Sequence, residues 1–196
     1  MRKRLNRIGF FFVSCFSFLI LIGCSTQKEI GELTKELHQS IQQTEQKQIS
    51  SERVAVEFVR HVDGDTSVFL VNGKEQKVRY LLIDTPETVK PNAPVQPFGK
   101  EASNRTKTLL SNAKEIQLEF DETNKTDRYG RLLAYVFVDG MLLQETLVRE
   151  GLARVAYVKE PNTKYLEELK KAQEKAKNES LGIWSISGYV TDKGFK

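Results

Sequence analysis

Cysteine is nearly absent from this chain of 196 residues. Its two cysteines, Cys15 and Cys24, both lie within the first 24 positions. No disulfide can form in the rest of the chain, so the fold there must rest on a hydrophobic core. A thiolate metal site is excluded from that part of the chain for the same reason.

The chain also lacks an apolar run that could comfortably span a bilayer, since a spanning helix needs about 20 apolar residues. Its apolar run Ile8–Ile22 follows a basic cluster and leads into Gly23 and Cys24. This order is typical of a bacterial lipoprotein signal. We therefore predict a signal peptide over residues 1–23 and a lipid on Cys24; an uncleaved membrane anchor is the alternative. The predicted location is the outer face of the cell membrane, with retention there or release.

Neither sign of charge dominates the sequence. Lys and Arg total 30 and Asp and Glu total 26, a formal net charge of +4. Removal of the predicted signal peptide takes away four basic residues and no acidic one, which leaves a net charge of zero. Bulk basicity therefore gives no evidence of nucleic-acid binding. Any attraction for phosphate must come from locally placed arginine and lysine.

Residues 24–51 form a polar segment rich in Gln, Glu, Lys and Ser. Within it, Ile30, Leu33, Leu37 and Ile41 recur at helical spacing. We interpret the segment as a tether that holds a folded domain away from the membrane. A narrow helical stripe that seats a partner is the alternative.

The sequence predicts one folded domain over residues 52–184, followed by a polar and loose tail at 185–196. Alternating apolar residues predict strands over 54–62, 65–71, 74–83, 116–120, 131–138 and 153–158. Helical patterns cover 98–111, 143–150 and 163–178, the last capped by Thr163. Short strands, hairpin signals such as Asn72-Gly73 and only three helices indicate a mainly β fold with α. An OB-fold barrel of five strands that carries three helices fits this order.

Acidic residues cluster at the ends of two predicted strands. Asp63 and Asp65 lie in D-G-D-T, and Asp84 and Glu87 follow the strand 74–83. The predicted hairpin places its two strands side by side, so Asp65 approaches Asp84. Oxygen ligands suit Ca²⁺ better than Zn²⁺. Each string alone is also typical of an ordinary turn, and only the combination favours a metal site.

Two arginines accompany this acidic cluster. Arg79 lies in V-R-Y-L-L-I-D-T-P-E and Arg131 in T-D-R-Y-G-R. A guanidinium group matches two oxygens of a phosphate, so carboxylates with two arginines suggest a divalent metal and a phosphate. Arg79 could equally be a surface residue paired with Glu57.

These strings, together with F-G-K-E-A-S and G-L-A-R-V-A-Y-V, closely resemble the staphylococcal nuclease family over Ser51–Trp184. The resemblance implies an OB-fold barrel with three helices and a Ca²⁺-dependent phosphodiesterase that acts on DNA and RNA. It also implies that Asp65, Asp84 and the backbone carbonyl of Thr85 bind the calcium ion. Asp63 would lie just outside this ligand set.

The resemblance further implies roles for five other residues. Glu87 would position or deprotonate the attacking water, and Arg79 and Arg131 would hold the phosphate and stabilise its transition state. Tyr129 and Tyr157 would line the nucleotide pocket, unless they are core aromatics. The chain departs from the family at Lys159, where a second nucleotide-contacting tyrosine is usual.

Two other interpretations belong to different classes of protein. One is an OB-fold module that binds nucleic acid without cutting it, which would not require the acidic and arginine cluster. The other is a structural lipoprotein, which leaves the cluster unexplained. We expect a monomer, and the sequence identifies no protein partner.

Overall fold

A computed structural model describes residues 34, 35 and 38 and the ranges 53–88, 94–120 and 125–196. The chain divides into two units, residues 1–49 and 50–196. In the first unit, Thr34, Lys35 and His38 are helical and exposed. The predicted signal peptide, Cys24 and most of the tether lie outside the described residues. No helix among the described residues combines the length and apolar character that crossing a membrane requires.

Strands dominate the second unit, and three α-helices pack with them. The strands are β1 (Val54–Ala55), β2 (Glu57–Asp63), β3 (Thr66–Val71), β4 (Lys74–Tyr80), β5 (Ile83–Asp84), β6 (Ile116–Glu119), β7 (Leu132–Val138), β8 (Met141–Leu142), β9 (Arg154–Val155), β10 (Val190–Thr191) and β11 (Gly194–Phe195). The helices are α1 (Gly99–Ser111), α2 (Leu143–Arg149) and α3 (Leu166–Asn178), followed by a 3₁₀ turn at Gly182–Ser185.

The main sheet closes on itself through the first strand region. Its order is β1-β6-β7-β4-β3-β2, and the two ends of this order, β1 and β2, are separated in the chain only by Val56. The Val56 N–H donates to the Ile116 carbonyl at 2.9 Å, which continues the pairing of β1 with β6. The continuous segment 54–63 therefore pairs with β6 at one edge of the sheet and with β3 at the other. With the parallel β4–β7 pair, this is the predicted five-stranded barrel, and the predicted fold class is confirmed.

The predicted hairpin between β3 and β4 is present. Asn72 and Gly73 both have positive φ, 50° and 74°, as a type I′ turn requires. The hydrophobic core lies between the barrel and α2 and α3, and it includes Phe69, Leu118, Tyr135, Leu147 and Leu169. All five are fully buried, which fits a fold that has no disulfide in its described residues.

The prediction of one strand over residues 74–83 is wrong. The chain leaves β4 after Tyr80 and turns at Leu81 and Leu82, where Leu82 has a φ of 65°. It then forms β5, which pairs with β9 instead of β3. Leu81 and Leu82 are buried in a turn rather than in a strand, and an apolar pattern cannot distinguish the two.

Two shorter predictions also need correction. The strand predicted over 153–158 is only β9, and the last helix starts at Leu166 instead of Thr163. Thr163 does not cap this helix through its side chain, because its hydroxyl donates to the Glu160 carboxylate at 2.9 Å.

The predicted loose tail is wrong as well. Strands β10 and β11 form an antiparallel hairpin, and Tyr189, just before it, is buried. The Tyr189 ring packs against Phe195 with 5.4 Å between the ring centres. Because the segment is largely polar in composition, the sequence analysis did not predict this contact between two aromatic residues.

Candidate active site

The buried residues Asp65 and Thr85 meet at the end of the β3–β4 hairpin that lies away from its turn. The Tyr80 N–H donates to the Asp65 carbonyl at 2.9 Å, which fixes Asp65 just before β3. The Asp65 carboxylate then accepts the Thr85 N–H at 3.2 Å and the Thr85 hydroxyl at 3.3 Å. The turn at Leu81 and Leu82 thus brings Asp84 close to Arg79 and Thr85 close to Asp65.

Arg79 joins the two central carboxylates. Its Nη2 lies 3.0 Å from Asp65 Oδ2 and 3.7 Å from Asp84 Oδ1, and its Nη1 donates to the Tyr80 carbonyl at 3.2 Å. All three charged side chains are buried. Asp65 and Asp84 therefore both lie near one positive nitrogen. The sequence predicted that these two carboxylates approach each other, but not that Arg79 stands between them.

Arg154 is a charged residue of this site that the sequence analysis did not identify. It lies opposite Asp84 in the β5–β9 pair, and its Nε and Nη2 both lie 2.9 Å from Asp84 Oδ2. The two residues are 70 positions apart, so no local pattern links them. Arg154 stands in the G-L-A-R-V-A-Y-V string, which is the one signal that could have found it.

Asp63 holds the loop that follows Glu87. Its Oδ1 accepts the Gly64 N–H and the Thr88 hydroxyl, each at 2.8 Å, and its Oδ2 lies 3.5 Å from the Thr88 nitrogen. Gln96 fixes Glu87 itself, since the Glu87 N–H donates to the Gln96 side-chain oxygen at 2.8 Å. The Gln96 N–H donates in return to the Glu87 carbonyl at 3.0 Å. The Glu87 side chain remains exposed beside the buried carboxylates.

Two glycines let other elements approach this loop closely. A Cβ on Gly64 would lie 2.6 Å from the Thr85 hydroxyl oxygen, and one on Gly99 would lie 3.0 Å from the Glu87 carbonyl. The Thr106 hydroxyl of α1 also donates to the Gly64 carbonyl at 2.7 Å. Helix α1 therefore contacts the site twice, through Gly99 beside the Glu87 carbonyl and through Thr106 on the Gly64 carbonyl.

Negative charge is in excess at this site. Burial raises the pKa of Asp84 even though the Arg154 guanidinium lowers it. Partial burial, the charges of Asp63, Asp65 and Asp84 and a hydrogen bond with Asp63 raise the pKa of Glu87. Four carboxylates face only two guanidinium groups, so a cation would relieve the repulsion.

The residues present fit a calcium ion in their donor chemistry. Asp65 and Asp84 offer carboxylate oxygens within 3.7 Å of one point, Arg79 Nη2, and carboxylate oxygens are the ligands that Ca²⁺ prefers. Within the described ranges, no group of three His, Cys, Asp or Glu side chains is arranged to hold a metal ion alone. The ligand set would therefore combine two carboxylates with a backbone carbonyl and oxygens from water or phosphate.

Arg131 sits in a separate, ordered turn. Asp127 accepts the Tyr129 N–H at 2.9 Å, the Arg131 N–H at 3.0 Å and Arg131 Nε at 2.7 Å. Burial tends to raise the pKa of Asp127, but these hydrogen bonds outweigh it, so the pKa lies below its ordinary value. The parallel pairing of Val78 with Leu132 places Arg131 immediately before β7, beside β4.

The register also relates Arg131 to Arg79. Arg79 pairs with Leu133, which is two residues after Arg131. Arg131 therefore lies just before the strand that runs parallel to the end of β4, where Arg79 is.

Tyr129 and Tyr157 are surface residues, which excludes the interpretation of both as core aromatics. Their exposed fractions are 68% and 66%. Tyr157 has a φ of 55°, and its ring centre lies 5.3 Å from Arg79 Cζ. The Tyr129 ring centre lies 5.6 Å from Arg131 Cζ. Each tyrosine thus stands beside one of the two arginines, and Lys159 is exposed near Tyr157 in the chain.

Residues 77–186 match the sequence family described as "Staphylococcal nuclease homologue". This match covers more than half of the chain. The chain belongs to the staphylococcal nuclease family. The matched range includes Arg79, Asp84 and Glu87 and the later residues of the candidate site, and residues 187–196 lie beyond it.

Three proteins with nuclease names are similar to this chain in sequence. The chain is 60% identical over 144 residues to the SPbeta prophage-derived endonuclease YokF of Bacillus subtilis, covering 74% of this chain and 48% of YokF. It is 58% identical over 142 residues to endonuclease YncB of the same species, covering 72% of this chain and 67% of YncB. It is 50% identical over 127 residues to the thermonuclease of Staphylococcus hyicus, covering 65% of this chain and 73% of that protein. The chain thus spans about half the length of YokF.

Proposed function

We propose that this protein is a Ca²⁺-dependent nuclease that hydrolyses phosphodiester bonds of DNA and RNA. The observation that carries the proposal is the convergence of buried Asp65 and Asp84 on Arg79, with the exposed Glu87 carboxylate beside them. The names endonuclease and thermonuclease, borne by its relatives, support the same reaction class.

Asp65, Asp84 and the Thr85 carbonyl would hold the calcium ion. A bound divalent cation supplies charge stabilisation to the phosphate as negative charge builds on its oxygens. Two arginines keep these carboxylates in place. Arg79 contacts both Asp65 and Asp84, and Arg154 contacts Asp84. Because the protein would supply only three ligand residues, coordination positions on the ion would remain for water and for an oxygen of the substrate.

Glu87 is the residue that would orient or deprotonate the attacking water. Its backbone is fixed by two hydrogen bonds to Gln96, while its side chain reaches solvent. Partial burial and neighbouring carboxylates raise its pKa, which makes the ionised group a stronger base. A water hydrogen-bonded to this carboxylate would be aimed at the phosphorus atom.

Arg79 and Arg131 would donate to the phosphate oxygens. Planar guanidinium groups stabilise the charge that develops in the transition state and add directionality to the contact. Asp127 orients Arg131, because it accepts both the backbone N–H and the side-chain Nε of this residue. Tyr129 and Tyr157, exposed beside the two arginines, would contact the nucleotide.

The decisive experiment separates cutting from binding. Purified full-length protein is assayed on single-stranded DNA with Ca²⁺, with Mg²⁺ and with a chelator, together with Glu87→Gln and Arg131→Ala. Wild type should cut only with Ca²⁺, because Mg²⁺ demands a stricter octahedral geometry. Loss of one transition-state donor typically costs about 10²–10³ in rate, so turnover should fall by at least about a hundredfold in both variants.

Binding affinity distinguishes a nuclease from a module that only binds. Both variants should bind the DNA within roughly an order of magnitude of wild type, measured at one salt concentration. A protein that binds without cutting would show no Ca²⁺-dependent cleavage, and Arg131→Ala would weaken its binding instead. Full cleavage in chelator would refute the calcium assignment.

We also propose that the mature protein is a monomer held at the outer face of the cell membrane by a lipid on Cys24. The basic start, short apolar run and Gly23-Cys24 ending support this location. The polar segment that follows would give the domain its distance from the membrane.

A further inference from the structure

The C-terminal hairpin reaches back to the segment that leads into α1. The Tyr189 hydroxyl donates to the Pro97 carbonyl at 2.8 Å, a contact between residues 92 positions apart. Tyr189 is only 4% exposed, although Pro97 itself is at the surface. This hydrogen bond thus connects Tyr189, the residue just before the hairpin, to the Pro97 carbonyl oxygen.

Pro97 directly follows the residue that holds Glu87. Gln96 makes two hydrogen bonds to the Glu87 backbone, through its own N–H and its side-chain oxygen. The Gln96 carbonyl in turn accepts the Gly99 N–H at the start of α1. Tyr189 therefore restrains the residue that connects the Glu87 support to the helix.

The hairpin is itself well ordered around Tyr189. The Phe195 ring packs on the Tyr189 ring, and the Lys196 N–H donates to the Tyr189 carbonyl at 3.0 Å. The Thr191 hydroxyl donates to the Gly194 carbonyl at 2.9 Å across the turn. These contacts fix the direction of the Tyr189 hydroxyl.

A second contact runs from the hairpin to the other side of the site. The Phe195 ring centre lies 5.8 Å from Arg154 Cζ, within the range of a cation–π interaction. Arg154 is the residue that binds Asp84. The hairpin therefore contacts the supports of both Glu87 and Asp84.

We propose that residues 186–196 form a C-terminal brace that positions Glu87 for the reaction, with Tyr189 as the positioning residue. The inference rests on the proposed nuclease function for its kinetic consequence. It goes beyond the family assignment, because Tyr189 and Phe195, which make the brace contacts, lie outside the matched range 77–186.

The first test measures the brace without using activity. Amide hydrogen exchange at Glu87 and Gln96 is compared by NMR in full-length wild type, Tyr189→Phe and Phe195→Leu. The net effect of one hydrogen bond corresponds to roughly a two- to twelvefold change, so both amides should exchange faster by about that factor in Tyr189→Phe. Phe195→Leu keeps the Tyr189 hydroxyl and removes only a ring contact, so it should speed exchange by a smaller factor. Tyr165→Phe is the matched control, because it removes a tyrosine hydroxyl that bonds to Glu119.

The second test asks whether the brace acts through Glu87. Tyr189→Phe should lower kcat by about tenfold or less while KM stays within about twofold, since only positioning is changed. In a Glu87→Gln background, the same substitution should have no further effect on kcat. Tyr165→Phe should leave kcat unchanged.

Three results would overturn the inference. Unchanged exchange at Glu87 and Gln96 in Tyr189→Phe would show that the hydroxyl does not restrain them. Equal loss of kcat in the wild-type and Glu87→Gln backgrounds would show a general structural effect, as would equal loss in Tyr165→Phe. If wild type does not cut nucleic acid, the proposed function fails, and the exchange rates alone decide whether the brace restrains Glu87.

Discussion

Arg154 binds a single oxygen of Asp84 through two nitrogens, each at 2.9 Å, across the short β5–β9 pair. Both side chains are buried, and Arg79 approaches the other Asp84 oxygen at 3.7 Å. Asp84 is therefore held between two arginines from different strands. This arrangement makes its position depend on Arg154 as much as on the barrel.

Replacement of Arg154 by alanine should leave Asp84 with only its more distant partner. Removal of one partner from a buried ion pair costs about 3–5 kcal/mol, and the retained Arg79 places this case at the lower end, about 3 kcal/mol. Chemical denaturation measures the loss. Arg154→Lys keeps the positive charge and should lose less. Equal losses in the two variants would show that the charge at this position is unimportant.

Gly64 should not tolerate a side chain. An added Cβ would lie 2.6 Å from the Thr85 hydroxyl oxygen, so Thr85 must move and its hydroxyl would leave Asp65. Overpacking of this kind typically costs about 1–3 kcal/mol. The free energy of unfolding of Gly64→Ala should fall by that amount. In a Thr85→Ala background the same change should cost less, and strict additivity would contradict the predicted clash.

Asp127 should make stability depend on pH in the acid range. Its folded pKa lies below its ordinary value, so the unfolded state binds more protons there and stability falls as pH falls. The stability difference between wild type and Asp127→Asn should be constant above about pH 5 and shrink below about pH 4. Denaturation of both proteins at pH values above about 5 and below about 4 measures it. A difference that grows on acidification would refute the assignment.

Lys159 should alter how single-stranded nucleic acid is bound. Stacking of a base on an aromatic ring contributes about 1–3 kcal/mol, so Lys159→Tyr should tighten binding roughly five- to a hundredfold. If Lys159 contacts a phosphate, the change should also reduce the salt slope by about 0.7. Lys171→Tyr, on the exposed surface of α3, is the control. Equal effects at positions 159 and 171 would show non-specific stacking.

Cys24 should carry the lipid. In Cys24→Ala cells, incorporation of a labelled fatty acid into the protein should be lost, because the thiol that would be acylated is gone. The protein should then remain as precursor or leave the membrane fraction. Label on the Cys24→Ala protein would refute the lipoprotein signal.

Local sequence signals were reliable where the structure is determined locally. Asn72-Gly73 forms its hairpin because both residues adopt positive φ, and the alternating segments form the barrel strands. The meeting of Asp65 with Asp84 was also predicted correctly, although the route differs. The chain reaches it through a left-handed Leu82 instead of a continuous strand, and nothing in an apolar run requires that turn.

The contacts that escaped prediction join residues far apart in sequence. Arg154 meets Asp84 because β9 pairs with β5, and Tyr189 meets Pro97 because the tail folds back. In both pairs, the sequence around one residue carries no pattern that predicts its contact with the other. Composition also misled, since two aromatic residues suffice to order a tail that is otherwise polar.

The separation between Asp84 and Arg154 has a consequence for synthesis. A chain that has grown only to residue 153 contains every acidic residue of the candidate site, yet it lacks the arginine that holds Asp84. The anchor of the C-terminal brace, Tyr189, emerges later still. Assembly of the candidate site is therefore completed late in synthesis, because Arg154 and Tyr189 are added after all of its acidic residues.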